Sequence, residues 1–263
     1  MEAAQALPIL VRLLRAEDED PVVLQTVAQH ADADFDLFVD LTLGNESGPQ
    51  ASEVIPRVAR FMHHPDLSSL LQTLGRSSTP EVRRQLALLW RHRPELITEA
   101  SLLGLSQDPV PEVRLAAVQA WRAAGRFDYL AHFFQDPDAD VRRQAVLELR
   151  SATDGPDPAA LLGDSDERVR AAAWSAQVLR GQRVDLPGDI GHESAAAVLR
   201  EVVSTEDLQT AVRTSPDTGH RITAGIVLAI LHDPLAREVA RNDPVPEVRE
   251  QVSRMLLATG QGE

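Results

Sequence analysis

The feature that most constrains this chain is a pattern that recurs along it at a nearly fixed distance. In Asp108 to Trp121, DPVPEVRLAAVQAW, an Asp is followed by Val five residues on, by Arg six on, and by small or apolar residues four and eight after the Val. Asp136/Val141/Arg142, Asp164/Val169/Arg170 and Asp243/Val248/Arg249 repeat it without change. Ser77/Val82/Arg83 relaxes the Asp, Ser215/His220/Arg221 keeps only the Arg, and weaker copies centre on Val23, Val54 and Asp189/Ser194. The nine anchor positions 23, 54, 82, 113, 141, 169, 194, 220 and 248 are spaced by 25 to 31 residues. A repeat of that length is one supersecondary unit, which cannot bury its own apolar face, so neighbours must stack.

The units read as helical hairpins. Val113, Ala117 and Trp121 share one helix face, as do Val82, Leu86 and Trp90, and Val141, Ala145 and Leu149. That is the 3.6-residue periodicity of a buried stripe. Pro80 and Pro111 fall in the first turn of their helices, where a missing N–H costs nothing, and Thr79, Asp138 and Asp166 stand where N-caps belong. The first helix of each unit is expected to be short: Glu95 to Ser106, Tyr129 to Gln135, and Ala159 to Leu162. Aromatic residues are only 4% of a chain that is 43% apolar. This alanine- and leucine-rich mixture suits packed helices better than sheets.

DPVPEVRLAAVQAW, DPDADVRRQAVLEL and DSDERVRAAAWSAQ resemble bacterial HEAT repeats of the lyase-type HEAT-like kind, within the armadillo-type superhelices. The resemblance implies an all-α fold, a right-handed α-α superhelix (HEAT-like solenoid) of about nine short helical-hairpin repeats. It also implies a ladder of hydrogen bonds between the turn Asp and the helix Arg of stacked units. The matching residues are Asp108/Arg114, Asp136/Arg142, Asp164/Arg170 and Asp243/Arg249, structural rather than functional. The short segment at Ala159 to Leu162 is also similar to the variant leucine-rich repeats, which alternate α and 3₁₀ helices.

One solenoid over 1–263 is expected, with degenerate acidic repeats at 1–76, regular repeats at 77–180, an irregular repeat at 181–213, C-terminal repeats at 214–258 and a tail at 259–263. In the irregular repeat, Ser194 stands in place of Val and Ala195 in place of Arg, so its rung of the ladder is expected to be missing. The net charge is −14 and unevenly placed. No Arg lies between Arg15 and Arg57, where ten carboxylates fall, among them Asp32, Asp34, Asp36 and Asp40. This segment is either a solvated cap on the array or an electrostatic docking patch for a basic partner. Its D-x-D-x-D spacing from Asp32 lacks the Gly of a calcium loop at Leu37 and the Glu at the twelfth position, Leu43.

Chemistry is sparse. No cysteine and no lysine occur, every basic residue being Arg, which removes thiolate nucleophiles, cysteine-based metal sites, Schiff-base lysines and P-loop lysines. His192-Glu193 resembles one pair of a di-iron HEAT-repeat hydroxylase, but one pair does not make a bimetallic centre. His63, His64 and His232 stand in turn sequences. Trp90, Trp121 and Trp174 invite comparison with HEAT-like DNA glycosylases, yet the acidic, lysine-free composition argues against nucleic acid. The start, MEAAQALPILVRLL, lacks the basic segment of a secretory signal, and no apolar run is long enough to span a bilayer. A cytoplasmic bacterial protein without cofactor or metal is expected.

What remains is a non-catalytic scaffold or adaptor that binds a protein or peptide. Arg84, Leu88, Leu115, Gln119, Arg143, Leu147 and Ser175, off the buried stripe of the second helices, are the candidates to line its concave face, with the acidic N-terminal end as a second surface. The alternatives are an enzyme or enzyme subunit of the HEAT-like lyase type, acting on a chromophore or metal-dependent substrate, and a HEAT-like glycosylase.

Overall fold

A computed structural model describes residue 55 and residues 63–262, other than 97, 151, 153, 154, 183 and 184. The chain divides into two compact units, Met1–Arg126 and Phe127–Glu263. Every regular element among the described residues is helical. Asp32, Asp34, Asp36 and Asp40 lie outside the described residues.

The first unit contains α1 (Leu67–Leu74), α2 (Pro80–His92), α3 (Glu99–Ser106) and α4 (Pro111–Ala123). Pro80 and Pro111 begin α2 and α4, as their fixed φ and missing N–H favour. The long helices α2 and α4 lie side by side, and α3 packs on α4. Val82, Leu86, Trp90, Val113, Ala117 and Trp121 are all buried, so the anchor stripe is the core of the unit. The Trp121 indole N–H donates to the Ser106 hydroxyl at 2.8 Å, tying α4 to its own short helix. The helix expected over Glu95 to Ser106 is broken in two. Pro94–Leu96 forms a 3₁₀ turn and α3 starts only at Glu99. Thr79 does not cap α2 with its side chain; the Ser77 hydroxyl instead accepts the Thr79 N–H at 3.1 Å.

The second unit opens with a 3₁₀ segment, Phe127–Gln135, then α5 (Ala139–Glu148), a 3₁₀ turn Pro158–Leu161, and α6 (Glu167–Leu179). The two short first helices expected here are therefore 3₁₀, the form that short pieces favour. Asp138 caps α5 by accepting the N–H groups of Asp140 and Val141, and Asp166 caps α6 through Arg168. No described residue between α6 and α7 (His192–Val202) is helical, so the irregular repeat lacks its first helix. Two hairpins follow, α8 (Thr205–Thr214) with α9 (Thr218–Ile230), and α10 (Leu235–Asn242) with α11 (Pro246–Ala258).

Two helices of this unit are buried on every side over about two turns, as central elements are. In α6 every residue from Ala171 to Val178 is buried, and in α9 every residue from Ala224 to Ile230. Close approach explains Gly225, since a Cβ there would stand 2.5 Å from Val252 Cγ2 on α11. The outer face of α11 carries Glu247, Glu250 and Arg254, with Arg254 donating to Glu250 at 3.1 Å.

Candidate functional site

The most conspicuous polar side chains prove to be structural. In the repeats of Arg83, Arg142 and Arg221 the guanidinium closes its own turn and also reaches the next repeat. Arg83 donates through Nη1 to the Ser77 carbonyl at 2.6 Å, while its Nε and Nη2 grip the Asp108 carboxylate at 2.6 and 3.0 Å. Arg142 does the same with the Asp136 carbonyl at 2.8 Å and the Asp164 carboxylate at 2.7 and 2.8 Å. Arg221 joins the Ser215 carbonyl at 2.9 Å to Asp243 at 3.0 and 3.4 Å. The carboxylate of Asp108 thus belongs to the Arg one repeat earlier, and Arg114 takes the Asp108 carbonyl at 2.8 Å. Arg249 likewise takes the Asp243 carbonyl at 2.6 Å. Each Asp also accepts an N–H of its own turn, that of Val110, Asp138, Asp166 or Val245.

Such bidentate, charge-assisted pairs are the strong kind. The hydrogen bond to Asp164 raises the Arg142 pKa above its ordinary value, as the bond to Asp108 does for Arg83. The bond from Arg142 holds the Asp164 carboxyl below the usual carboxylate range.

The irregular repeat departs from expectation in an informative way. Its incoming rung is present: Arg170 meets the Asp189 carboxylate at 3.1 Å and donates to the Asp189 carbonyl at 2.9 Å. Only the outgoing rung is lost, because Ala195 has no donor and the next repeat offers Ser215. The Glu167 carboxylate adds a second tie, accepting the Gly191 N–H at 3.0 Å and the Ser194 hydroxyl at 2.5 Å. The Ser194 bond, then the Gly191 bond, lowers the Glu167 pKa.

A different stripe is free of this machinery. Residues two, six and nine after the anchor fall within about 60° of one another on a helix with 3.6 residues per turn, on the side away from the buried stripe. In the first unit these are Arg84, Leu88 and Arg91 on α2, and Leu115, Gln119 and Arg122 on α4. Arg91 and Arg122 are exposed and the other four half-buried. Arg91 donates to Gln119 at 2.9 Å, linking the two helices across the face, and Arg84 is held by Glu81 at 3.1 Å. Glu81 and Glu112 stand at the opposite end of the same face. The face therefore runs from acidic, through apolar and amide, to basic.

On α6 and α9 of the second unit the same positions are closed, while on α11 Glu250, Arg254 and Leu257 are exposed. Leu147 and Ser175, expected to line a groove, are 5% and 0% exposed, which corrects that expectation. Ala171, Val178, Ile222, Ile226 and Ala229 are buried as well. Arg143 remains half-buried on α5 and is paired with Glu201 of α7 at 2.5 Å. The reason lies in the neighbours of α6, which packs against α5, α7 and the 158–161 turn together. Two basic residues of the open face, Arg91 and Arg122, escaped sequence reasoning, although the ninth position after each anchor marks them.

Nothing gathers for chemistry elsewhere among the described residues. No three His, Asp or Glu side chains converge as metal ligands there. His192 is half-buried, its Nδ1 atom is without a partner, and Glu193 is exposed. Trp90, Trp121 and Trp174 are core residues at 0%, 2% and 0% exposure, so none lines an aromatic cleft. No helix among the described residues is long and apolar enough to cross a membrane.

Comparison with known proteins agrees with the geometry. The HEAT repeat family model matches residues 100–125, which span α3, the Asp108 turn and α4. No curated protein matches the chain. The all-helical stack of hairpins thus carries a HEAT repeat, a class of module that generally serves as a protein-interaction scaffold and is typically not an enzyme.

Proposed function

We propose that this protein is a non-catalytic scaffold that binds a protein partner, and that the open face of α2 and α4 is where the partner docks. The observation that carries the reading is the contrast within one register: Leu88 and Leu115 are half-exposed on a face built of two closely packed helices, whereas Leu147 and Ser175 are buried. Partly exposed leucines ringed by Arg and Gln make a surface with an apolar centre and a polar rim, the anatomy of an interface. Its partner is a protein segment rather than a small molecule, because the face is a surface of two packed helices instead of a cavity.

The experiment is capture by the immobilised full chain, comparing the wild type with Leu88→Asp/Leu115→Asp and with Asp32, Asp34, Asp36 and Asp40 all changed to Asn. A partner lost only in the leucine variant supports the face; one lost only in the Asn variant moves docking to the acidic segment. A partner retained by both, or the absence of any partner, removes this reading.

A further inference from the structure

The last described repeat, α10 with α11, ends on half a rung of the ladder. Where another repeat follows, the ladder Arg spends Nη1 on a carbonyl of its own turn and Nε with Nη2 on the Asp of the next turn, as Arg83, Arg142 and Arg221 do. Arg249 of α11 closes its own turn on the Asp243 carbonyl at 2.6 Å, but its Nε and Nη2 meet no carboxylate among the described residues.

Arg249 lies on the side of α11 that stacks. On α9 the positions one and five after the anchor, Arg221 and Gly225, are about 40° apart around the helix, and both face the following repeat. Arg221 binds Asp243, and a Cβ on Gly225 would stand 2.5 Å from Val252 of α11 and 3.5 Å from Val239 of α10. Their equivalents on α11 are Arg249 and Ser253. Ser253 lines a depression of about 210 Å³ together with Arg237, Ala240 and Arg241 of α10 and Leu257 of α11. Leu257 is 68% exposed, whereas Ala229, its equivalent on α9, is fully buried. No carboxylate lines this depression. Glu238 lines the one between α10 and α8, and Glu250 is held by Arg254. The end face therefore presents an open Arg fork and a bare leucine beside the exposed Arg237 and Arg241.

The ladder defines what fills such a fork: an Asp five residues before an anchor. Of the Asp residues in that register, Asp108, Asp164, Asp189 and Asp243 already hold an Arg of their own chain, and Asp136 is buried. Asp18, five before the anchor at Val23, lies outside the described residues and stands in the sequence between Glu17, Glu19 and Asp20, opposite in charge to the end face.

We infer that the end face of α10 and α11 receives a second copy of this chain, whose Asp18 carboxylate completes the Arg249 rung. Two different surfaces meet in such a contact, so it is heterologous and continues past a dimer unless it closes into a ring. The inference does not depend on what the face of α2 and α4 binds.

The test is sedimentation velocity of the full chain from micromolar to millimolar concentration. The wild type is expected to gain mass beyond the monomer as concentration rises, and to lose it at high salt. Arg249→Asp or Asp18→Arg alone is expected to weaken association about tenfold or more. An equimolar mixture of these two variants is expected to recover it, because every contact between unlike chains sets an Asp against an Arg. Arg249 also closes its own turn, so Arg237→Glu, at an exposed position, keeps the test sound if Arg249→Asp disturbs folding, and it too is expected to weaken association. A wild type that stays monomeric throughout, association indifferent to Asp18→Arg, or a mixture of folded variants that does no better than its components overturns the inference.

Discussion

The two compact units share one repeat register and use it differently. Six residues after their anchors, Leu88 and Gln119 are half-exposed in the first unit, whereas in the second Leu147, Ser175 and Ile226 are buried and Arg254 of α11 is exposed. The ladder Arg, one residue after the anchor, behaves alike in both, with Arg83 and Arg142 making the same three kinds of contact. Position in a repeat thus fixes what ties these repeats to their neighbours, because that contact is with the adjacent repeat and recurs wherever the Arg and the Asp are both present. It does not fix what faces outward, because that depends on whatever else the unit folds against the stripe.

The largest test of this comparison is Ser175→Asp. An unpaired charge at a position 0% exposed is expected to cost about 4 kcal/mol or more, read as a loss of denaturant midpoint. Ser175 in an open groove would show almost no change. Next comes the ladder. Arg142→Ala leaves the Asp164 carboxylate, 7% exposed, without its cation, and about 3 kcal/mol should be lost. Arg170→Ala should cost only about 1 kcal/mol, since Asp189 is 63% exposed and water takes over. Equal losses at the two rungs would show that burial does not set their strength.

Gly225→Ala drives a methyl group against Val252 and should cost about 1–3 kcal/mol unless α9 and α11 separate. A smaller effect follows from pH. Asp164 and Asp166 have lowered folded-state values, through Arg142 and Arg168 respectively, so the folded chain binds fewer protons than the unfolded one. Their contribution is complete above the ordinary carboxyl range near pH 4 and is lost as pH falls through the lowered values. Asp164→Asn should therefore flatten the acid limb of the stability curve, and an unchanged limb would assign acid sensitivity to other carboxylates. The smallest effect is expected for Leu88→Asp, within about 1 kcal/mol, as befits a half-exposed site.

Much of this was legible in the sequence. The Asp-x4-Val-Arg spacing identified the long helices, and the prolines at 80 and 111 marked where two of them start. The buried tryptophans followed from their place eight after Val82 and Val113. The ladder was legible only as a set of residues. Which Asp an Arg meets is a matter of stacking, and the carboxylate partner turned out to lie in the next repeat, 25 residues on for Arg83 and 22 for Arg142. The short first helices were seen as helices, but their 3₁₀ form was hinted at only for Ala159 to Leu162, through its likeness to the variant leucine-rich repeats, because segments of four to nine residues carry too little periodicity to separate the two forms.

By itself the sequence determined an all-helical chain of stacked hairpins, since a stripe repeated every 25 to 31 residues has no other way to leave water. It also placed Leu88, Leu115, Leu147 and Ser175 on one side of their helices, because helical spacing is a local property. Only the tertiary structure decided that two of these four are closed and two half-open. Burial is set by contacts between elements far apart in the chain, such as Arg143 of α5 meeting Glu201 of α7, and no local pattern records them.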